Sequence, residues 1–159
     1  MNAIPNMILQ ATPEAIIRFA RPADKDQIMA NLRVMGLENS YVSVNYGKVR
    51  KVVDQCLEDC SVFVVEKNGK VVGAAGLYLS QFWCSDQDIL GAYFFFVHPA
   101  HREYRIANAL LTECERAAKS IGVPLVIGVM SKKDALRKYG FFARRMKPAG
   151  GLFVTPMTD

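Results

Sequence analysis

The residues best equipped for chemistry run from Phe94 to Leu111, FFFVHPAHREYRIANALL. An apolar run, Phe94-Phe95-Phe96-Val97, passes into a Pro-containing turn. From Ile106 onward apolar residues recur at helical spacing. A strand that ends in a turn and reopens as a helix exposes the helix's first N–H groups, which lack internal partners and carry the positive end of its dipole. Such an end holds anions, and a turn of backbone amides ahead of it can wrap a pyrophosphate. Ala107 is small enough to admit a close backbone approach, whereas Arg105 is not. Basic residues crowd a second segment: Lys132, Lys133, Arg137, Lys138, Arg144, Arg145 and Lys147 face only Asp134.

The elements that must position these residues are legible from periodicity and turn chemistry. Ile16 to Ala20 reads as a strand, and Asp24 caps a helix reaching about Met35. Gly36 to Gly47 is polar and irregular. Val49, Val52, Val53, Cys56, Leu57 and Cys60 trace the apolar face of a second helix. Val62 to Glu66 and Lys70 to Leu79 form a hairpin about Asn68-Gly69. After a polar turn from Gln81 to Asp88, Ile89 to Val97 is apolar enough to be buried on both faces. Ile106, Leu110, Cys114, Ala117 and Ile121 mark a long helix stopping at Gly122. Pro124 to Met130 reads as a strand, Lys132 to Tyr139 as a basic helix closed by Gly140, and Phe141 to Thr155 as two short strands. The order predicted is β-α-α-β-β-β-α-β-α-β-β, an α/β protein with a mixed sheet.

Composition bounds the rest. A length of 159 residues, 51% hydrophobic and 22% charged, suits one globular domain with its own core. Residues 1–15 read as a loose leader, and residues 16–159 as a single domain. No apolar run approaches the roughly 20 residues of a membrane span, and the N-terminal residues lack the basic start of a secretion signal, so a cytoplasmic protein without a membrane partner is expected. The four cysteines are too scattered for a disulfide framework and are expected to be buried thiols; no metal site is expected. The net charge of +5 favours an anionic partner without choosing among CoA, nucleic acid and an acidic protein face. A nucleic-acid groove is disfavoured, because the basic segment has few interleaved stacking aromatics.

The segment around Arg102 resembles the acetyl-CoA signature of the GCN5-related N-acetyltransferase (GNAT) family, in which an Arg or Gln is followed three residues later by Gly and five later by Gly or Ala. Arg102 and Ala107 match; Arg105 stands in place of the first Gly. Ala135-Leu136-Arg137-Lys138-Tyr139-Gly140-Phe141 resembles the family's closing helix with its Gly-Phe ending, and the element order is similar from Ile16 to Thr155. The resemblance implies a GNAT-like fold and an acetyl-CoA-dependent N-acetyltransferase acting on an amine of a small molecule or protein. It implies that Arg102, Glu103, Tyr104, Arg105, Ile106 and Ala107 hold the pyrophosphate, while Phe96 and Val97 offer backbone groups to the pantetheine arm. Homodimers are common in this fold.

Acetyl transfer needs a route for the amine's proton and a stabiliser for the departing thiolate. By resemblance a Glu is common near the position of Gly91 and a Tyr at that of Leu136; neither stands here. The remaining candidates are Tyr93, Asp88 and Ser131, with His98 and His101 on the pyrophosphate side. Glu103 reads as a first-turn carboxylate beside the helix dipole, and Tyr139 as an ordinary aromatic. Tyr41, Tyr46, Phe82 and Trp83 are expected to line the acceptor entrance. The alternative is a catalytically silent CoA-binding or protein-interaction module on the same fold.

Overall fold

A computed structural model describes residues 8–11, 15–153 and 155. Six strands form one sheet in sequence order: β1 (Ile8–Ala11), β2 (Ile16–Phe19), β3 (Val62–Lys67), β4 (Lys70–Gln81), β5 (Asp88–Val97) and β6 (Leu125–Val126). The first five are antiparallel neighbours, and β6 joins β5 in parallel. The helices are α1 (Lys25–Asn39), α2 (Tyr46–Glu58), α3 (Tyr104–Ser120) and α4 (Ala135–Ala143). Among the described residues no helix is long and apolar enough to cross a membrane.

Alternation along the strands divides the core in two. Phe63, Val65, Val72, Ala75, Leu77 and Val97 face α3, meeting Ile106, Leu110 and Cys114; Val62, Val64, Val71, Ala74, Phe94 and Phe96 face α1 and α2, meeting Ile28, Met29, Leu32 and Val53. Each such large side chain removed from water contributes about 1.5–3 kcal/mol before entropy is counted. The β3–β4 turn places Asn68 at φ 53° and Gly69 at φ 72°, which matches the right-handed twist of the strands it joins.

Several expectations change. Ile8–Ala11, expected within a loose leader, is a strand on the sheet edge, and Ala15, also expected there, is buried in the core; the other leader residues lie outside the described set. Asp24 does not cap α1 with its side chain. Its carboxylate instead accepts from buried Arg18 at 2.7 and 2.9 Å and from the Arg21 amide at 2.7 Å. The expected strand over Pro124 to Met130 is paired only at Leu125 and Val126. Gly140 does not close the basic helix but lies inside α4, which continues through Phe141 and Phe142 to Ala143. The two closing strands are therefore absent from the described part of Phe141 to Thr155. Ring packing explains the longer helix: Phe141 and Phe142 both reach Phe95 on β5, with centroids 6.3 and 5.3 Å away. Cys56 and Cys114 are buried as expected, whereas Cys60 and Cys84 are exposed.

Candidate active site

Strand β5 has a neighbour on both sides only over its first part. Leu90 pairs with Leu125 and Gly91 with Val126; beyond Gly91 the β6 chain leaves, and Ile127 to Met130 forms the opposite wall of a cleft. The cleft holds about 630 Å³ and is closed by the C-terminal half of α1 and by α4. Its floor is the edge of β5 from Ala92 to Val97, and one end reaches Arg102, Glu103, Tyr104 and Ala107.

The hydrogen-bond register decides which backbone groups face this opening. The His98 amide donates to the Val72 carbonyl at 2.7 Å, so that residue turns towards β4. Because a strand repeats every two residues, Phe96 also turns its amide and carbonyl to β4, and Phe95 and Val97 turn theirs to the open edge. The expectation for Val97 is compatible with this geometry, whereas Phe96 turns its backbone groups to β4 and Phe95 shares the open edge with Val97. The Val97 carbonyl already accepts from Arg102 Nε at 3.1 Å, which pins the turn to the strand end.

Helix α3 opens at the far end of this edge. Its first intrahelical bond in that turn runs from the Ala107 amide to the Glu103 carbonyl at 3.2 Å, and no side chain of Glu103 caps the amides before it. The Glu103 carboxylate instead meets Lys67 Nζ at 3.4 Å. Arg105 is exposed and outside the cleft lining, while the Ile106 side chain is buried in the core, so Ile106 could contribute only backbone to an anion there. Among the predicted cofactor residues, Arg102, Glu103, Tyr104 and Ala107 are the ones of this turn that line the cleft.

Arg102 also forms an ion pair with Glu38 of α1, a residue that sequence reasoning missed. The hydrogen bonds from Arg102 hold the Glu38 carboxyl below its ordinary value against the opposing effect of burial, with Arg102, Lys138 and Lys133 adding attraction. Three cations thus surround one carboxylate, leaving positive charge in excess beside the α3 N-terminus. Lys138 lines the cleft, and burial first, then the nearby Arg102 charge, push its ammonium down. No local signal marked Glu38, since its partner lies 64 positions away.

The three predicted catalytic residues are not brought together. Tyr93 lines the cleft and is 54% exposed. Asp88 begins β5, five residues and roughly 16 Å of strand away, and accepts from Gln81 Nε2 at 2.9 Å. Ser131 is 3% exposed; its hydroxyl lies 2.7 Å from Asn39 Oδ1 and accepts from Lys138 Nζ at 2.8 Å. That hydroxyl ties the start of α4 to the end of α1 and does not face the cleft. His98 Nδ1 accepts from the Ala100 amide at 3.2 Å, a local turn role. Leu136 is 88% exposed, so this α4 position points away from the cleft altogether.

The expected aromatic entrance is also revised. Tyr41 donates to the Ser131 carbonyl at 3.2 Å, and Arg33 lies 5.6 Å over the Tyr46 ring. Phe82 and Trp83 are exposed on the β4–β5 turn rather than in the cleft lining. Tyr78, which sequence reasoning passed over, stacks on Tyr93 with ring centroids 4.1 Å apart.

Comparison with solved structures agrees with this architecture. An aminoglycoside acetyltransferase, AAC(6')-Iy in complex with a CoA bisubstrate analogue, is 12% identical, with a TM-score of 0.69 over 91% of this chain and 99% of that one. A ribosomal-protein-alanine N-acetyltransferase from Brucella melitensis biovar Abortus 2308 is 14% identical, with a TM-score of 0.66 over 91% and 99% of the two chains. The aminoglycoside acetyltransferase HMB0005, from an uncultured soil metagenomic sample, is 15% identical, with a TM-score of 0.63 over the same shares. No curated protein matches by sequence. The family model for the acetyltransferase (GNAT) family matches residues 33–145, from α1 through α4. The chain therefore belongs to the GNAT acetyltransferase family, and is an N-acetyltransferase whose co-substrate is acetyl-CoA.

Proposed function

We propose that the chain acetylates an amine of a cationic small molecule or of a protein, with the pyrophosphate at the Arg102–Ala107 turn and the acyl end near Tyr93. The observation that carries this reading is the continuous polar track from the open edge of β5, through Phe95 and Val97, to the amides of α3. Four residues of strand separate Tyr93 from Val97, about 13 Å, a span suited to an extended arm pairing along that edge. The cluster of Arg102, Lys133 and Lys138 supports the placing of the anionic end, since such charge attracts phosphate.

Acetyl-CoA supplies a thioester acetyl group already activated for transfer. The chain's residues hold the cofactor by backbone amides, keep Arg102 oriented through Val97 and Glu38, and exclude water with the Phe95, Phe141 and Phe142 rings. With Asp88 distant and Ser131 engaged, positioning is the main contribution. The amine nitrogen bonds the acetyl carbon as the thioester C–S bond breaks, the acceptor's proton goes to water, and CoA leaves as a thiolate that takes a proton from solvent. The solved relatives named for aminoglycoside and ribosomal-protein acetylation support both acceptor classes, and the acidic β4–β5 hairpin favours the small cation. Calorimetric titration with acetyl-CoA tests the reading: saturable micromolar binding, roughly 8 kcal/mol, is the expected result. Absence of binding at millimolar ligand would overturn it.

A further inference from the structure

Between Lys70 and Arg102 the chain carries no Lys or Arg; its only charged side chains there are Asp86 and Asp88. In a protein of net charge +5 this hairpin, β4 after Lys70 and β5 with their turn, is a local exception. It also exposes three aromatic side chains, Phe82, Trp83 and Tyr93.

Three features of the hairpin converge on one arrangement. First, Gly91 pairs with Tyr78, and a Cβ at Gly91 would overlap the Tyr78 ring, with Oη only 2.7 Å away. The missing side chain is what lets the phenol lie across β5. Second, Gly76 pairs with Phe94 and Leu77 with Ala92, so Tyr93 is the extra residue of a bulge. A bulge gives up regular pairing and re-aims a side chain, and bulges concentrate beside active sites. Third, the re-aimed Tyr93 stacks on Tyr78, with centroids 4.1 Å apart and planes inclined by 32°. The pair stands where β6 parts from β5, and Tyr93 itself lines the cleft.

We propose that Tyr78 and Tyr93 form the acceptor platform of the cleft, binding an aliphatic amine substrate through a cationic nitrogen. Aliphatic amines are ammonium ions near neutrality. Aromatic faces attract such ions, and attract them more strongly where the contact is shielded from water. The assignment of this end to the acceptor rests on the cofactor orientation proposed above; the cation site itself does not.

The test uses the full chain labelled with 3-fluorotyrosine, whose six tyrosines are assigned by single Tyr→Phe variants. Choline is titrated against its uncharged carbon isostere, 3,3-dimethylbutan-1-ol, while 19F resonances are followed. Choline should shift Tyr78 and Tyr93 saturably and bind roughly threefold or more tighter than the isostere, the scale of an exposed cation–π contact. Tyr78→Leu and Tyr93→Leu should abolish that preference, whereas Tyr93→Phe keeps it. Gly91→Ala, which retains both tyrosines but displaces the Tyr78 ring, should also lose it. Equal responses to the two probes, or shifts confined to Tyr41, Tyr46, Tyr104 and Tyr139, would overturn the platform. The probes need no cofactor, so a failure of acetyl-CoA to bind is read separately and counts against the cofactor orientation alone.

Discussion

Arg18 and Asp24 meet where β2 leads into α1, with side chains only 5% and 8% exposed, and Glu66 completes the cluster from β3. Burial pushes the Asp24 carboxyl up, but its bonds from Arg18 and the Arg21 amide outweigh this and leave it below the ordinary 3.8. Removing one partner of a buried pair strands the other charge, so Asp24→Asn should lower stability by about 3 kcal/mol in urea unfolding. The sign of the pH effect follows from the depressed value: the stabilisation is complete above pH 3.8 and is lost as pH falls through the lower folded value. In Asp24→Asn that part of the acid limb should disappear. Glu38 behaves differently because its carboxylate faces the cations Arg102, Lys133 and Lys138 of the proposed cofactor end. Glu38→Gln should cost about 1 kcal/mol of stability, yet tighten CoA binding up to about threefold by removing a charge that repels phosphate. Weaker CoA binding in that variant would instead show that orienting Arg102 matters more.

At the scale of elements, local signals carried far. The Asn68-Gly69 turn, the apolar run of β5 and the α3 stripe each followed from a pattern whose cause is local: left-handed backbone, two-sided burial, and a single apolar face. The end of the chain was not legible in this way. Gly140 has the composition of a helix stop, but the rings of Phe141 and Phe142 gain more by folding back on Phe95 than the glycine loses inside a helix. The site was divided similarly. The amide-rich turn was visible in sequence, whereas Glu38, Phe95 and Tyr78 depend on register and on contacts between distant segments. Gly140 itself gives a test of the revised boundary. A Cβ there meets nothing within 4 Å and its φ is not positive, so Gly140→Ala should raise stability by about 0.5–1 kcal/mol. Had α4 ended there in a left-handed cap, the same change would destabilise.

For the whole molecule, the two walls of the cleft differ in charge and in what they can do. Arg102, Lys133 and Lys138 gather around Glu38 at the proposed cofactor end, while from Val71 to His101 the only charged side chains are the carboxylates Asp86 and Asp88. Of the candidates for moving the acceptor's proton at the proposed acyl end, Asp88 lies along the strand and Ser131 is buried. The expected enzyme is therefore a slow transferase whose rate rises with pH as the acceptor amine deprotonates, without a plateau set by a protein group. Thiol release from acetyl-CoA, measured across polyamines, aminoglycosides, lysine peptides and peptides with free N-termini, provides the assay. Tyr93→Phe should reduce turnover less than about tenfold, since a true general acid or base would cost about 10²-fold or more. Ala107→Leu should abolish turnover by blocking backbone approach at the α3 turn, and calorimetry should show the loss of cofactor binding as its cause. Cofactor binding should also weaken steeply with salt, because its charge contacts are partly exposed. Tight CoA binding with no thiol release above background, for every acceptor and up to pH 9, would mean that this chain keeps the family's cofactor cleft as a binding module rather than as a catalyst.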